Sequence, residues 1–363
     1  GLGHRPFTAA TGVRIPLGIP LYKRTFILLD MNLETTKQIS VAPMMGQTDR
    51  HFRYLVDLLA PDLKLYTPMI HADAIVCASE KFLHQENHHR KAVGIQIAGN
   101  DPSIMAEAAK IISKYNYNEI NLNIGCPSLR VQSCNAGAAL MRDPLLVANC
   151  VGAVRDKVDL PLSIKTRIGV DDKDDYHFLY DFVAETSEAG CQVFIIHARK
   201  AFLQGLNPKQ NRTIPPVDYD KVYRLKNDFN NLRIIINGEI SSIEQIEQHL
   251  LHLDGVMIGR KAYKDPLFLA EIQQHFFMTE GKSINHSTQF HIIKEMIDYT
   301  KNQIGDGINI HLMTRHMAQL FRGLRGAKEW RNLIGLNQHK SNSAIGFLDE
   351  LLCYVERYEE SLC

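Results

Sequence analysis

The sequence predicts an α/β chain, a (β/α)8 TIM barrel followed by a C-terminal all-helical domain. Three observations predict it. Eight short β-branched runs recur from Ile39 to Gly259, with amphipathic stretches between them. The runs are apolar on both faces, as parallel strands covered by helices are. After about residue 283 the strand runs stop, and helical periodicity punctuated by Gly305, Gly307, Gly323, Gly326 and Gly335 takes over. A doubly wound sheet is the alternative, but it needs a glycine-rich first turn, and Met44-Met45-Gly46 is not one.

Strands are expected at 39–44, 63–68, 92–97, 119–124, 161–166, 193–198, 233–238 and 255–259. The clearest intervening helices fall at 101–115, 144–158, 176–189 and 242–251, and the C-terminal helices at 286–304, 308–322, 327–337 and 343–360. The domains follow: an extension outside the fold over 1–38, the barrel over 39–282 and the helical domain over 283–363. Pro16 and Pro20 break any helix in the extension, and Met31 stands inside it.

The chain of 363 residues has a net charge of +1, which by itself argues against nucleic acid. The distribution argues otherwise. Residues 1–30 carry +3, residues 197–233 carry +5 and residues 311–340 carry +5, which leaves −12 on the rest. Two basic segments on an acidic body suit a phosphate backbone. The 7 cysteines are odd in number, and no pair has CxxC spacing, so a reducing, cytoplasmic setting is expected rather than a disulfide framework. No apolar run approaches the roughly 20 residues that span a bilayer, so no membrane partner is expected.

Barrels of this kind place their chemistry at the C-terminal ends of the strands. Polar groups gather there. Pro43-Met44-Met45 closes the first strand, Gln96 lies on the third, and Asn123-Ile124-Gly125-Cys126 ends the fourth. Lys165 and Arg167 end the fifth, His197 and Arg199 the sixth, Asn237-Gly238-Glu239 the seventh and Gly259-Arg260 the eighth. The last two strands commonly build a phosphate cradle, where glycine admits an anion close to backbone N–H groups and arginine adds a fork of donors. Cys126 is the acid–base candidate, since a thiol titrating near roughly 8.5 can give up a proton at neutral pH. Lys165 is either a Schiff-base nucleophile or a fixed cation beside an electron-rich cofactor. His84, His88 and His89 read as a solvated loop, and with no carboxylate cluster on the rim no metal is expected.

Taken together, Ala42-Pro43-Met44, Gln96, Asn123 to Ser128, Lys165-Thr166-Arg167, His197-Ala198-Arg199, Asn237-Gly238 and Gly259-Arg260 resemble the tRNA-dihydrouridine synthases from about residue 39 to 331. The segment 200–216 and Thr314-Arg315-His316-Met317, with Gly326-Ala327 and Trp330, are similar to the A-type subgroup. The resemblance implies FMN in the barrel mouth, NADPH as reductant, and reduction of uridine to 5,6-dihydrouridine at tRNA D-loop positions 20 and 20a. It implies a hydride to C6 and a proton from Cys126 to C5. Pro43, Met44, Met45, Gln96, Lys165 and His197 would hold the flavin, and Asn237, Gly238, Glu239, Gly259 and Arg260 its phosphate end. Asn123 would lie beside the target base. Two positions depart from the family pattern: Ser133-Cys134-Asn135 stands where a glycine is expected, and Glu239 where a second glycine is common.

A uridine inside folded tRNA must leave its stack to reach a barrel mouth, so such an enzyme has to grip the backbone. Arg167, Arg199, Lys209 and Arg212 are expected to do so from the rim. Arg315, Arg322, Arg325 and Lys328 are expected to do so from the helical domain. His311, Arg315 and Arg322 fall within about 40° on a helical wheel, opposite Met313, Met317 and Leu320. A monomer is expected. The alternative is a small-molecule flavin oxidoreductase of the dihydroorotate dehydrogenase kind, which leaves the basic segments and helical domain unexplained. A Schiff-base lyase and a catalytically silent RNA-binding module complete the alternatives.

Overall fold

A computed structural model describes residues 37–77, 83, 93–278, 286–304, 309–336 and 344–360. Of the extension expected over 1–38, residues 1–36 lie outside the described residues, as do the histidines at 84, 88 and 89. Strands and helices alternate as β1 (Gln38–Val41), α1 (Arg50–Leu59), β2 (Ile70–His71), α2 (Ala72–Cys77), β3 (Val93–Ala98), α3 (Pro102–Ile112), β4 (Tyr117–Ile124), α4 (Leu129–Gln132), α5 (Pro144–Arg155), β5 (Leu162–Arg167), α6 (Tyr176–Glu188), β6 (Val193–His197), α7 (Tyr219–Asp228), β7 (Arg233–Asn237), α8 (Ile243–His252) and β8 (Gly255–Ile258). All pairings are parallel, in the order β1-β8-β7-β6-β5-β4-β3-β2. Aspartates start several helices by capping: Asp101 accepts from the amides of Ser103 and Ile104 ahead of α3, Asp143 caps α5 and Asp175 caps α6.

The ring closes through residues 63–67. Ser40 pairs with Lys64 and Tyr66 with Gly94, both in parallel sense. The amide of Val41 donates to the Lys64 carbonyl (2.9 Å), and the amide of Thr67 donates to that of Gly94 (2.9 Å). The second strand is therefore broken in two. Pro68 has no N–H to give a ladder, and the pairing slips between Tyr66 opposite Gly94 and Ile70 opposite Ile97. Gly94 is required where the ring of Tyr66 crosses it, since an added Cβ would stand 2.6 Å from that ring.

The main core fills the layer between strands and helices, with Ile120, Leu122, Ile164, Ile196 and Ile236 facing outward into it. Inside the barrel, Ala42, Tyr66, Ile195, Ile235 and Met257 form a smaller apolar cluster. The rest of the interior is polar. On β4, Glu119, Asn121 and Asn123 alternate with the outward aliphatic residues, so this strand is not apolar on both faces.

After the barrel come α9 (Arg260–Lys264), α10 (Leu267–Phe277), α11 (His286–Ile304), α12 (Ile310–Thr314), α13 (Ala327–Leu336) and α14 (Ala344–Glu360). Gln38–Cys363 forms one compact unit. Trp330 is fully buried at the centre of the helical region, stacked on Phe321 at 4.6 Å and donating through its indole N–H to the Met317 carbonyl (2.9 Å). The expected helix over 308–322 is not continuous. α12 ends at Thr314, a 3-10 turn covers Arg315–Met317, and turns follow to Gly326. Arg315 and His316, neighbours in sequence, both reach the carboxylate of Asp49, and Gly323 and Gly326 adopt positive φ of 85° and 89°. The face shared by His311, Arg315 and Arg322 on a wheel is thus not formed.

Asp49 is the joint between the barrel and the helical region. Its carboxylate caps α1 by accepting from the amides of His51 and Phe52 (3.0 Å each), and it holds Arg315 and His316 from the other side. Burial alone would raise its carboxyl pKa. The hydrogen bond and charge of His316, the Phe52 amide and the charge of Arg315 outweigh that and hold it well below the usual carboxylate range. Next to it, burial lowers His51 to about 4, and its ring bonds the Tyr299 hydroxyl on α11 (2.8 Å). A carboxyl lowered by folding adds stability above its unfolded value and loses it as pH falls below. Asp49→Asn is expected to lower the unfolding free energy by about 2 kcal/mol at pH 7. In urea titrations the gap to wild type should close as pH falls below about 4; a gap independent of pH would refute the assignment.

Candidate active site

The C-terminal ends of the strands open onto one mouth, and the loop after β4 carries its thiol. The Asn123 side-chain oxygen accepts from the amides of Gly125 (3.2 Å) and Cys126 (3.0 Å), which folds the chain sharply back at the cysteine. The Cys126 thiol lies 3.4 Å from the Ser128 hydroxyl. Gly137, at φ 74°, runs beneath: an added Cβ would stand 2.4 Å from the Cys126 carbonyl, whose oxygen accepts from Ala138 (2.9 Å). Asn135, in the segment that lacks the expected glycine, adopts φ 48° itself, as asparagine tolerates. Cys134 is exposed and faces the Arg130 carbonyl (3.6 Å).

The β1 loop is held by Thr48, whose hydroxyl accepts from the Met44 amide (2.8 Å) and lies 3.2 Å from the Met44 carbonyl. Arg53, buried, donates to the Thr48 carbonyl (2.8 Å). Pro43 and Met44 are half-buried and Met45 is exposed, so the loop presents a backbone edge with an apolar side chain above it.

Across the mouth the charge is almost all positive. Lys165 donates to the Asn237 side-chain oxygen (3.1 Å), and Asn237 in turn donates to the Met257 carbonyl (2.7 Å), tying β5, β7 and β8 together. Burial and then the Arg167 charge lower Lys165 to about 7, against a partial lift from Cys126. Burial first, then the charges of Arg167, Lys165, Arg199 and Arg260, push His197 well below its usual value, so its ring is neutral. Gly238, at φ 129°, lets the chain pass the His197 ring, to which an added Cβ would come within 3.0 Å. Glu239 takes φ 57°, the conformation that makes glycine common at such a position, and its carboxylate pairs with Arg199. Arg260 donates to the Arg212 carbonyl (2.8 Å).

The arginines expected to grip RNA divide into two sets. Arg167 is 3% exposed and spent on carbonyls: its Nε donates to Gly125 (3.1 Å) and a terminal nitrogen to Asn211 (3.1 Å). Arg199 is likewise buried, holding the Pro215 carbonyl and Glu239. Both clamp loops in this structure, where the sequence reading expects a grip on RNA. Arg315 is committed to Asp49. Arg322 is 53% exposed but paired with Asp265 at 2.5 Å. Lys209, Arg325 and Lys328 are exposed, and Arg212 is half-buried. Buried Nε atoms of Arg199 and Arg212 have no hydrogen-bond partner.

Several positioning residues escape a reading by strand ends. Gln132 donates to the carbonyls of Pro127 (2.8 Å) and Leu203 (2.9 Å), joining the cysteine loop to the β6 loop. Asn211, fully buried, knits that loop through Phe202 and Leu206. Gln96 is 1% exposed, below the rim, with its amide between Asn121 and Asn123. Among the described residues no three His, Cys, Asp or Glu side chains could hold a metal ion, and no helix is long and apolar enough to cross a membrane.

Residues 40–356 match the model of the family described as dihydrouridine synthase (Dus). The chain is 47% identical over 321 residues to a Vibrio vulnificus (strain CMCP6) protein named tRNA-dihydrouridine(20/20a) synthase, covering 88% of this chain and 97% of that one. To the Escherichia coli (strain K12) protein of the same name it is 45% identical over 320 residues, 88% of this chain and 91% of that one. Among solved structures, a 2-naphthoyl-CoA reductase in complex with 2-naphthoyl-CoA aligns with a TM-score of 0.50 at 10% identity, over 65% of this chain and 49% of that one, a likeness of fold alone.

The lowered Lys165 yields a direct test. In the ligand-free protein an amine-selective acylating reagent should label Lys165 along a titration centred near pH 7. An anion held in the mouth should move that midpoint upward, because it favours the charged form. A midpoint at the ordinary lysine value of about 10.4 would place the amine outside the buried cationic cluster.

Proposed function

The chain belongs to the dihydrouridine synthase family, and we propose that it reduces uridine to 5,6-dihydrouridine in the tRNA D-loop at positions 20 and 20a, in the cytoplasm, with FMN as cofactor and NADPH as reductant. The observation that carries the proposal is the mouth itself. One thiol, Cys126, stands in a mouth lined by cations, Lys165, half-buried Arg212 and buried Arg167, which donates to the Gly125 carbonyl beside the cysteine.

Flavin mononucleotide suits these residues. The orphaned Nε donors of Arg199 and Arg212 and the half-buried Arg260 suit an anionic phosphate. Gly238 and Gly259 leave room for backbone approach beside Asn237 and Glu239. Pro43, Met44 and Met45 would cover one side of the flavin ring, Gln96 and Asn123 would meet it from the polar side of the barrel, and Lys165 and His197 would flank it. Bound and reduced, the flavin would supply a hydride for C6 of the uracil ring.

The chain's own residues do the remainder. Asn123 holds the Cys126 loop through two amides and keeps the thiol at the mouth. The Cys126 S–H gives its proton to C5 as C6 gains the hydride, so the C5–C6 double bond is saturated. Lys165, Arg167 and Arg212 stabilise the thiolate left behind until solvent returns the proton. The neutral ring of His197 offers one donor and one acceptor without adding charge. Lys209, Arg212, Arg325 and Lys328 provide cations for the tRNA backbone, with Arg322 joining once it leaves Asp265.

Cys126→Ala should retain bound flavin and lower dihydrouridine formation by about 10²–10⁴-fold, whereas Cys134→Ala should keep near-wild-type turnover. The reverse pattern, read by mapping dihydrouridine in tRNA incubated with each variant, would move the proton donor to Cys134. Charge reversal of Arg325 and Lys328 to Glu should weaken tRNA binding about tenfold and lower the salt-dependence slope by roughly 2, leaving the flavin content unchanged. Equal tRNA affinity would exclude this face.

A further inference from the structure

A continuous chain of buried side-chain hydrogen bonds runs inside the barrel from floor to mouth. At the floor, the Glu119 carboxylate, 3% exposed, pairs with Lys64 and accepts from the Tyr66 hydroxyl (3.1 Å) and the Ser163 hydroxyl. Burial and the Glu119 charge push the Tyr66 phenol well up, so it remains a donor. Asn121 donates to the Ser163 oxygen (2.6 Å), Gln96 to the Asn121 oxygen (2.7 Å), and Asn123 to the Gln96 oxygen (2.8 Å). The Asn123 oxygen then accepts the amides of Gly125 and Cys126.

The order of these bonds is dictated from one end. A carboxylate can only accept. Ser163 has a single hydroxyl hydrogen, which the carboxylate takes, so its oxygen must accept from Asn121. That fixes the Asn121 oxygen toward Gln96, the Gln96 oxygen toward Asn123, and the Asn123 oxygen toward the cysteine loop. A flip of any amide would set oxygen against oxygen and nitrogen against nitrogen, at a cost of about 1–3 kcal/mol for each buried group left unsatisfied.

We propose that the Glu119–Lys64 pair, acting through Ser163, Asn121 and Gln96, sets the hydrogen-bond polarity of the active site, so that Asn123 turns its oxygen to the cysteine loop and leaves an N–H rather than a carbonyl oxygen toward the bound ring system. Glu119, Ser163 and Asn121 are positioning residues. They act through the two amides nearest the mouth, and they select ligands whose facing edge carries acceptors. The consequence for flavin rests on the function proposed above; the polarity of the chain does not.

The test has two readouts. In the flavin-free protein, the side-chain NH2 protons of Gln96, Asn121 and Asn123, followed by 15N spectroscopy under folding conditions, should exchange slowly. Ser163→Ala, which removes one oxygen, and Glu119→Gln, which can turn its own amide to donate to Ser163, should each speed that exchange at least about tenfold. Each should also weaken FMN binding, titrated by fluorescence quenching, by about tenfold, the equivalent of one lost buried hydrogen bond. Ser163→Thr, which keeps the hydroxyl, should restore both, a rescue that a loss of packing alone would not give. Unchanged amide exchange, with FMN affinity within twofold, in folded Ser163→Ala would overturn the proposal, and that variant decides the matter where Glu119→Gln does not fold. Failure of the wild-type protein to bind FMN would refute the flavin reading alone, because the amide exchange still decides the polarity.

Discussion

A closed parallel barrel must fill its own interior with side chains, and here half of that filling is polar and organised around one buried charge. Glu119 sits where an aliphatic residue is usual in this fold. Its three donors, Lys64, Tyr66 and Ser163, come from the closing segment and from β5, so one carboxylate ties the seam of the ring to its middle. Asparagine and glutamine in such a place are unfavourable unless each polar atom is met. The relay meets them one after another and delivers the last oxygen to the amide of Cys126. The other half of the interior, Ile195, Ile235 and Met257 with Tyr66, is a plain apolar packing that leaves the polar column no alternative partners.

Much of this was legible in the sequence because covered parallel strands and amphipathic helices leave strong periodic signals. The helix over 286–304 appears with the same limits, and the one expected over 176–189 ends a single residue earlier. The helix over 308–322 misled for a physical reason. A helical wheel assumes that the rotation continues, and here the chain passes into a 3-10 turn at Arg315–Met317, where Arg315 and His316 meet a carboxylate at position 49, far away in sequence. The strand over 63–68 was legible as a run but not as two half-pairings around Pro68.

The site divides in the same way. Residues at strand ends, such as Cys126, Lys165, His197 and Asn237, were legible because topology alone gathers them. The state of an arginine was not. Arg167 and Arg199 have the composition of a phosphate grip, yet Arg167 is held by carbonyls and the terminal nitrogens of Arg199 by a carbonyl and one glutamate, a matter of loop conformation that no spacing encodes. Glu119 and Asn121 did leave a trace, since Glu119, Asn121 and Asn123 alternate with Ile120, Leu122 and Ile124. That alternation is the mark of a polar interior face, in a strand whose aliphatic half draws attention first.

The seam of the barrel has a consequence of its own. The closing segment 63–67 meets β1 and β3 through one isolated pairing each, with a pair of backbone hydrogen bonds apiece, and β2 adds a two-residue ladder to β3, where the neighbouring strands share longer ladders. Fewer backbone hydrogen bonds have to break to open the ring at residues 63–67 than at a full ladder, so a partial opening there has a lower free energy than global unfolding. Lys64, the counter-charge of Glu119, lies on that segment. Each opening of the seam would withdraw the cation from the floor of the barrel, so the polar column is fastened at its foot to a segment with few backbone pairings.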